Sequence, residues 1–137
     1  MTTKSSKPFG MELLLDCYDC DAPLVDDMEV VYRFLVKAVE TLGVTVQAPP
    51  YVFHSPSVGP HGEDFSSKAG ISAWVPLIES GIQCHTLTAK NFVSIDYYTC
   101  SEVNDEMKDK LIDLAKRTFD STKIKSQFVI RGDEYYD

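Results

Sequence analysis

A serine, a histidine and a cysteine, Ser80, His85 and Cys100, fall within one largely apolar stretch, Gly70 to Cys100, which reads GISAWVPLIESGIQCHTLTAKNFVSIDYYTC. These are side chains of nucleophilic and acid–base chemistry. A hydroxyl can attack a carbonyl, an imidazole can take a proton near neutral pH, and a thiol can give one. The serine follows Glu79 where a turn is expected, and a second serine, Ser72, precedes it in the same stretch. Each residue alone has a plainer explanation: Ser80 as a turn residue, His85 as a half-buried strand residue, Cys100 as a small core residue. Their joint spacing is what raises the chemical reading above those explanations.

Three strands must position them. Ile71 to Ile78 is a nearly continuous apolar run. Ile82 to Leu87 is a second strand, and Phe92 to Thr99 a third rich in β-branched and aromatic residues. Adjacent antiparallel strands can bring the serine, histidine and cysteine into a common pocket, which is the expectation here. Tyr97 and Tyr98 alternate faces, so at most one points into such a pocket. Asp96 reads as structural.

At this point the stretch resembles the core of the prokaryotic S-adenosylmethionine decarboxylases, small self-processing enzymes of polyamine synthesis. The pattern is G-[VI]-S-G, an apolar strand, E-S-H-x-x-x-H-T-W-P-E and then D-x-[FY]-T-C. Gly70-Ile71-Ser72, Glu79-Ser80, His85-Thr86 and Asp96-Tyr97-Tyr98-Thr99-Cys100 fit it without a gap. The resemblance implies a zymogen that cuts itself between Glu79 and Ser80, giving residues 1–79 (β chain) and 80–137 (α chain). Ser80 then becomes a pyruvoyl group, the cofactor, whose carbonyl forms a Schiff base with a substrate amine and draws off electrons as carbon dioxide leaves. By the same resemblance, His85 removes a proton during self-cleavage, Ser72 assists it, and Cys100 is a proton donor. It also implies a homodimer of processed chains, a small-molecule amine as substrate, and a place in spermidine biosynthesis.

Two departures bear on the substrate. The histidine after the nucleophilic serine is Gly81 here, and H-T-W-P-E is His85-Thr86-Leu87-Thr88-Ala89. In the family that glutamate holds the ribose hydroxyls of the adenosyl group. Ala89 cannot, and unpaired hydroxyls cost on the order of 1–3 kcal/mol. Adenosylmethionine is the family default; arginine or ornithine is the alternative within the same chemistry. An unprocessed, non-catalytic binding or regulatory homologue is the reading from another class, and Gly81 beside the scissile bond is what points to it. Retention of Ser72, Ser80, His85 and Cys100 together points away.

The rest of the chain supplies the frame. Met11 to Cys17 reads as a buried strand, Asp19 to Pro23 as a turn, and Val25 to Leu42 as a helix. Met28, Val31, Phe34, Leu35, Ala38, Val39 and Leu42 lie on its core face, with Asp26 and Asp27 in its first turn and Gly43 as its C-cap. Val44 to Ala48 reads as a strand, broken by Pro49-Pro50 before Tyr51 to His54. Ser55 to Ala69 is the one long irregular segment, holding Glu63, Asp64 and Phe65. With Ile82 on the neighbouring strand these are the candidate substrate contacts, Phe65 near where the family places an adenine-stacking phenylalanine. A lid with amine-binding carboxylates competes there with a solvated surface loop, which is favoured. A second helix over Asn104 to Phe119, a strand over Lys123 to Arg131 and an acidic tail complete the chain. Met1 to Phe9 reads as a loose arm.

The order β-α-β-β-β-β-α-β predicts an α+β two-layer sandwich, a mainly antiparallel sheet with two helices on one face, in a single domain. With 137 residues, 44% hydrophobic, the chain is long enough for a real core. A net charge of −8 argues against nucleic acid or an anionic membrane as partner. The absence of a spanning run or signal segment predicts a cytoplasmic protein. Cys17 and Cys20 form a C-x-x-C without a second ligand pair, so no metal is expected and the thiols read as reduced.

Overall fold

A computed structural model describes residues 7–136. The elements run β1 (Gly10–Tyr18), α1 (Ala22–Val25), α2 (Met28–Leu42), β2 (Tyr51–His54), β3 (Ile71–Leu77), β4 (Ser80–Leu87), β5 (Phe92–Thr99), α3 (Asp105–Phe119) and β6 (Lys123–Arg131). All six strands form one sheet in the order β2-β3-β4-β5-β1-β6, with every neighbouring pair antiparallel. The α+β two-layer fold read from the sequence is the one observed.

Strand alternation splits the sheet into two faces. Leu13, Leu15 and Cys17 of β1, Ile71, Ala73 and Val75 of β3, Ile82 and Cys84 of β4, and Val93, Ile95 and Tyr97 of β5 are buried toward the helices. Against them pack Val31, Phe34, Leu35 and Ala38 of α2 and Leu111, Leu114, Ala115 and Phe119 of α3. The Phe34 and Phe119 rings meet at 5.4 Å, tying the two helices together. Among the described residues no helix lies over the opposite face, which carries Ser72, Trp74, Gln83, His85 and Tyr98.

The starts of α2 and α3 are each capped by a side chain. Asp27 accepts from the backbone N–H of Glu29 and Val30, and Asn104 accepts from Met107 N–H. Gly43 closes α2 in the left-handed region at φ 67°. The helix expected over Val25 to Leu42 begins instead at Met28, because Asp27 takes the extended capping conformation, and Val25 ends the short α1 with Asp26 as its C-cap. Met28, expected on the core face, sits at the first residue of α2 and is 41% exposed.

Val44 to Ala48 is not a strand. It makes a single bridge, Val46 to Leu77, and hydrogen bonds through Gln47 N–H to Pro76 O and Ile78 N–H to Thr45 O. Pro49 and Pro50 lack the N–H groups that would carry the ladder on to β2. The segment thus lies along the end of β3, which β2 flanks only over Ile71 to Trp74. Of the expected N-terminal arm, residues 1–6 lie outside the described residues. Phe9 is held, donating its N–H to Gly132 O and packing on Tyr135. Among the described residues no helix is long and apolar enough to cross a membrane.

Candidate active site

β3 and β4 join through a two-residue loop, Ile78 and Glu79, because Leu77 pairs with Ser80. Glu79 takes a left-handed conformation, φ 65°, which a side chain with a Cβ adopts at a cost of roughly 1 kcal/mol or more. Ser80 is therefore the first residue of β4, two positions earlier than the apolar pattern predicts. It is 7% exposed, and its hydroxyl donates to Ile78 O at 3.4 Å. It pairs across β5 with Thr99. Burial pushes the Tyr97 hydroxyl pKa up, while hydrogen bonds with Thr99 and Ser80 oppose that shift.

Cys100 follows β5 directly. Its backbone N–H donates to the carbonyl of Glu79 at 3.0 Å, the carbonyl that precedes Ser80. Its side chain is exposed and lines, with Glu79, an open cavity of about 690 Å³ whose walls include Tyr98, Arg131 and Tyr135. Gly10 allows this arrangement: a Cβ there would overlap the Thr99 carbonyl and crowd Cys100. Ser80, Glu79 and Cys100 form one cluster.

Ser72 and His85 form another. They are direct cross-strand partners of β3 and β4, and Ser72 Oγ lies 3.1 Å from His85 Nδ1. Both lie on the open face, beside a cavity of about 300 Å³ lined also by Tyr51, Phe53 and Trp74. The expected common pocket is not formed within one chain. Five residues of extended strand separate Ser80 from His85 by about 17 Å, and the odd spacing turns the two side chains to opposite faces. Chemistry between them would need a second molecule.

The candidate substrate contacts distribute differently from the expectation. Ile82 is 0% exposed and packs in the core, because its even spacing from Ser80 turns it toward the helices. Glu63, Asp64 and Phe65 lie in the loop at the His85 end of the sheet, where Ser55 N–H meets Gly70 O and Thr88 N–H meets Ala69 O. Glu63 Oε2 accepts from His61 N–H, and Asp64 Oδ1 accepts from Ser66 N–H and Oγ–H. The Ser66 bonds hold Asp64 below its ordinary carboxylate range. Both carboxylates thus fold the loop on itself. Ala89 is exposed on the turn Thr88–Lys90.

Cys17 and Cys20 are buried, with Cys20 Sγ donating to Cys17 O at 3.5 Å. Burial first, then the charges of Cys20 and Asp16, push the Cys17 thiol up to about 12, and burial raises Cys20 and Cys84 as well. Such thiols are poor nucleophiles and poor ligands. No metal-holding group of side chains occurs among the described residues.

The family model for S-adenosylmethionine decarboxylase matches residues 11–132. The chain belongs to the S-adenosylmethionine decarboxylase family. It is 33% identical over 92 residues to S-adenosylmethionine decarboxylase proenzyme 2 of Bacillus cereus, covering 67% of this chain and 65% of that relative's own length. A proenzyme of Clostridium botulinum is 28% identical over 123 residues, covering 90% of this chain and 94% of the relative. The crystal structure of the adenosylmethionine decarboxylase from Aquifex aeolicus shares the fold, with a TM-score of 0.71 at 23% identity and 92% of each chain covered. Two sites were missed by sequence reasoning: the Cys100 N–H on the Glu79 carbonyl, and a contact of Tyr98 with Gly81. Both depend on strand register, which no single residue type signals.

Proposed function

We propose that the chain is a self-cleaving, pyruvoyl-dependent decarboxylase acting on the amine of a small amino-acid substrate. The observation that carries this reading is the 3.0 Å hydrogen bond from Cys100 N–H to the Glu79 carbonyl. That donor already sits on the oxygen that would gain negative charge when the neighbouring Ser80 hydroxyl attacks, the requirement for stabilising an oxyanion. The left-handed Glu79 adds backbone strain at the same bond, relieved when it breaks.

Attack of Ser80 Oγ on the Glu79 carbonyl carbon forms an ester as the C–N bond breaks and the nitrogen takes a proton. Removal of the Ser80 Cα proton then expels the Glu79 carboxylate. One water is consumed and one ammonia released as residue 80 becomes pyruvoyl. The surroundings of residue 80 fit such a group: it starts a strand, and its neighbours Glu79 and Thr99 line the open cavity. Once formed, the group supplies an electrophilic carbonyl that binds the substrate amine and takes up electrons as carbon dioxide leaves.

The base for the Cα proton is the proposed role of His85, with Ser72 holding its Nδ1. Its distance from Ser80 in the same chain supports a homodimer in which the open face carrying one chain's His85 and Ser72 meets the cavity beside the other's Ser80. The loop carrying Glu63, Asp64 and Phe65 would arrive with that His85. Ala89 leaves no carboxylate on its turn for ribose hydroxyls, which favours a smaller cationic amino acid, arginine or ornithine, over adenosylmethionine.

Intact mass of the purified protein under denaturing conditions tests this. The expected result is two species, residues 1–79 and 80–137, the second about 17 Da lighter than its serine form because ammonia is lost. Ser80→Ala should remain one chain. A wild-type chain that stays whole for days would overturn the reading and favour a non-catalytic binding protein. Decarboxylation of adenosylmethionine, arginine and ornithine, assayed side by side, decides the substrate.

A further inference from the structure

Gly81, the second residue past the proposed cleavage point, lies directly opposite Tyr98 in the β4–β5 register. A Cβ at residue 81 would overlap the Tyr98 hydroxyl and ring, with Cε1 at 2.8 Å. The ring therefore lies over the Gly81 backbone and fills the space a side chain there would take. From the other side of β4, Trp74 of β3 reaches across the strand and donates its indole N–H to the Tyr98 oxygen at 3.1 Å. Tyr51 of β2 stacks on Trp74, with ring centroids 6.0 Å apart and planes 19° from parallel. Aromatics from β2, β3 and β5 thus bridge over the first residues of β4 on the open face.

This placement has a consequence for a chain that cuts itself. Breaking the Glu79–Ser80 bond opens the β3–β4 hairpin at its turn, and β4 then begins at a free chain end. Free ends of strands fray, and the groups they carry lose position. A reacting group at residue 80 needs to be held within fractions of an ångström. The ladder bonds to β3 and β5 remain, but the covalent link that fixed residue 80 against β3 is gone.

We infer that the Trp74–Tyr98 bridge is a clamp that holds the new β4 terminus in place after cleavage, with Gly81 as the slot that admits it. The inference rests on the self-cleavage reading. Trp74 and Tyr98 are positioning residues: they act through the backbone of residues 80 and 81. In the uncut chain the hairpin does the same work, so the clamp matters little there. In the cut chain it adds a side-chain tie between β3 and β5 over the end of β4, beside the ladder bonds and the Cys100–Glu79 backbone bond.

Amide hydrogen exchange at residues 81–83 tests the difference, measured in the cut protein and in the uncut Ser80→Ala protein, each with and without Tyr98→Phe. Loss of one hydrogen bond should speed exchange roughly three- to tenfold in the cut protein and leave the uncut protein within about twofold. Gly81→Ala, which displaces the ring without altering the tyrosine, should give the same cut-specific increase. In turnover, Tyr98→Phe should lower kcat more than it raises KM. Equal exchange changes in cut and uncut proteins, or none in either, would overturn the clamp while leaving self-cleavage intact. A wild-type chain that never cuts would overturn both.

Discussion

At the scale of single residues, the proposed cleavage centre separates two roles of Cys100. Its backbone N–H bonds the Glu79 carbonyl, whereas its thiol faces the cavity. Cys100→Ala keeps the first and removes the second. The expected outcome is a chain that still forms the ester but converts it slowly, so that hydroxylamine cuts it between residues 79 and 80. Ser80→Ala should resist the same treatment. Hydroxylamine-resistant Cys100→Ala would mean that the thiol, rather than the backbone N–H, supports the first step. Ser72, Ser80, His85 and Cys100 were legible in the sequence by type and order. The N–H was not, because every residue but proline carries one and only register aims it.

At the scale of elements, the helices are set by local chemistry. Asp27 supplies the α2 cap, and Asp27→Ala should cost about 1 kcal/mol, a fall of roughly 3–6 °C in Tm. An unchanged melting curve would remove the cap from the account of where α2 begins. The open face of the sheet is set by pairing. Asp96 lies opposite Leu14 on β1, diagonally between Glu12 and Asp16. Burial pushes its carboxyl pKa up, and those two charges push it further. A raised carboxyl pKa means the folded chain holds the proton more tightly than the unfolded one. The penalty is thus present above the folded pKa and relieved as pH falls through it. Asp96→Asn should stabilise the protein at pH 7 by on the order of 0.5 kcal/mol, with the gain vanishing in acid. Urea melts of both proteins at pH 7 and pH 4 measure this; a gain that grows in acid would contradict it.

At the scale of the whole molecule, the two half-sites predict complementation between chains. A Ser80→Ala chain keeps His85 and Ser72, and a His85→Ala chain keeps Ser80 and Cys100. Each should stay uncut alone. Mixed under conditions that exchange subunits, the His85→Ala chain should be cut, with at most half-site yield, while the Ser80→Ala chain is not. If His85→Ala protein cuts itself fully when purified alone, the shared site of the proposed dimer is wrong.

What the sequence determined by itself was whatever depends on local pattern. Period-two and 3.6-residue apolar spacing placed β5 and β6 at their observed bounds and α3 within one residue of its start, with Asn104 and Gly43 recognisable as caps from type and position. The spaced identities from Gly70 to Cys100 placed the chain in its family. Tertiary structure decided everything that depends on which residue stands opposite which. It moved Ser80 into the first position of β4, turned Ile82 into the core and set Tyr98 over Gly81. It also placed His85 on the face away from Ser80. The reason is geometric: in a sheet a one-residue change in register exchanges the faces of every side chain, and a hairpin loop of two residues rather than three is what fixes that register here.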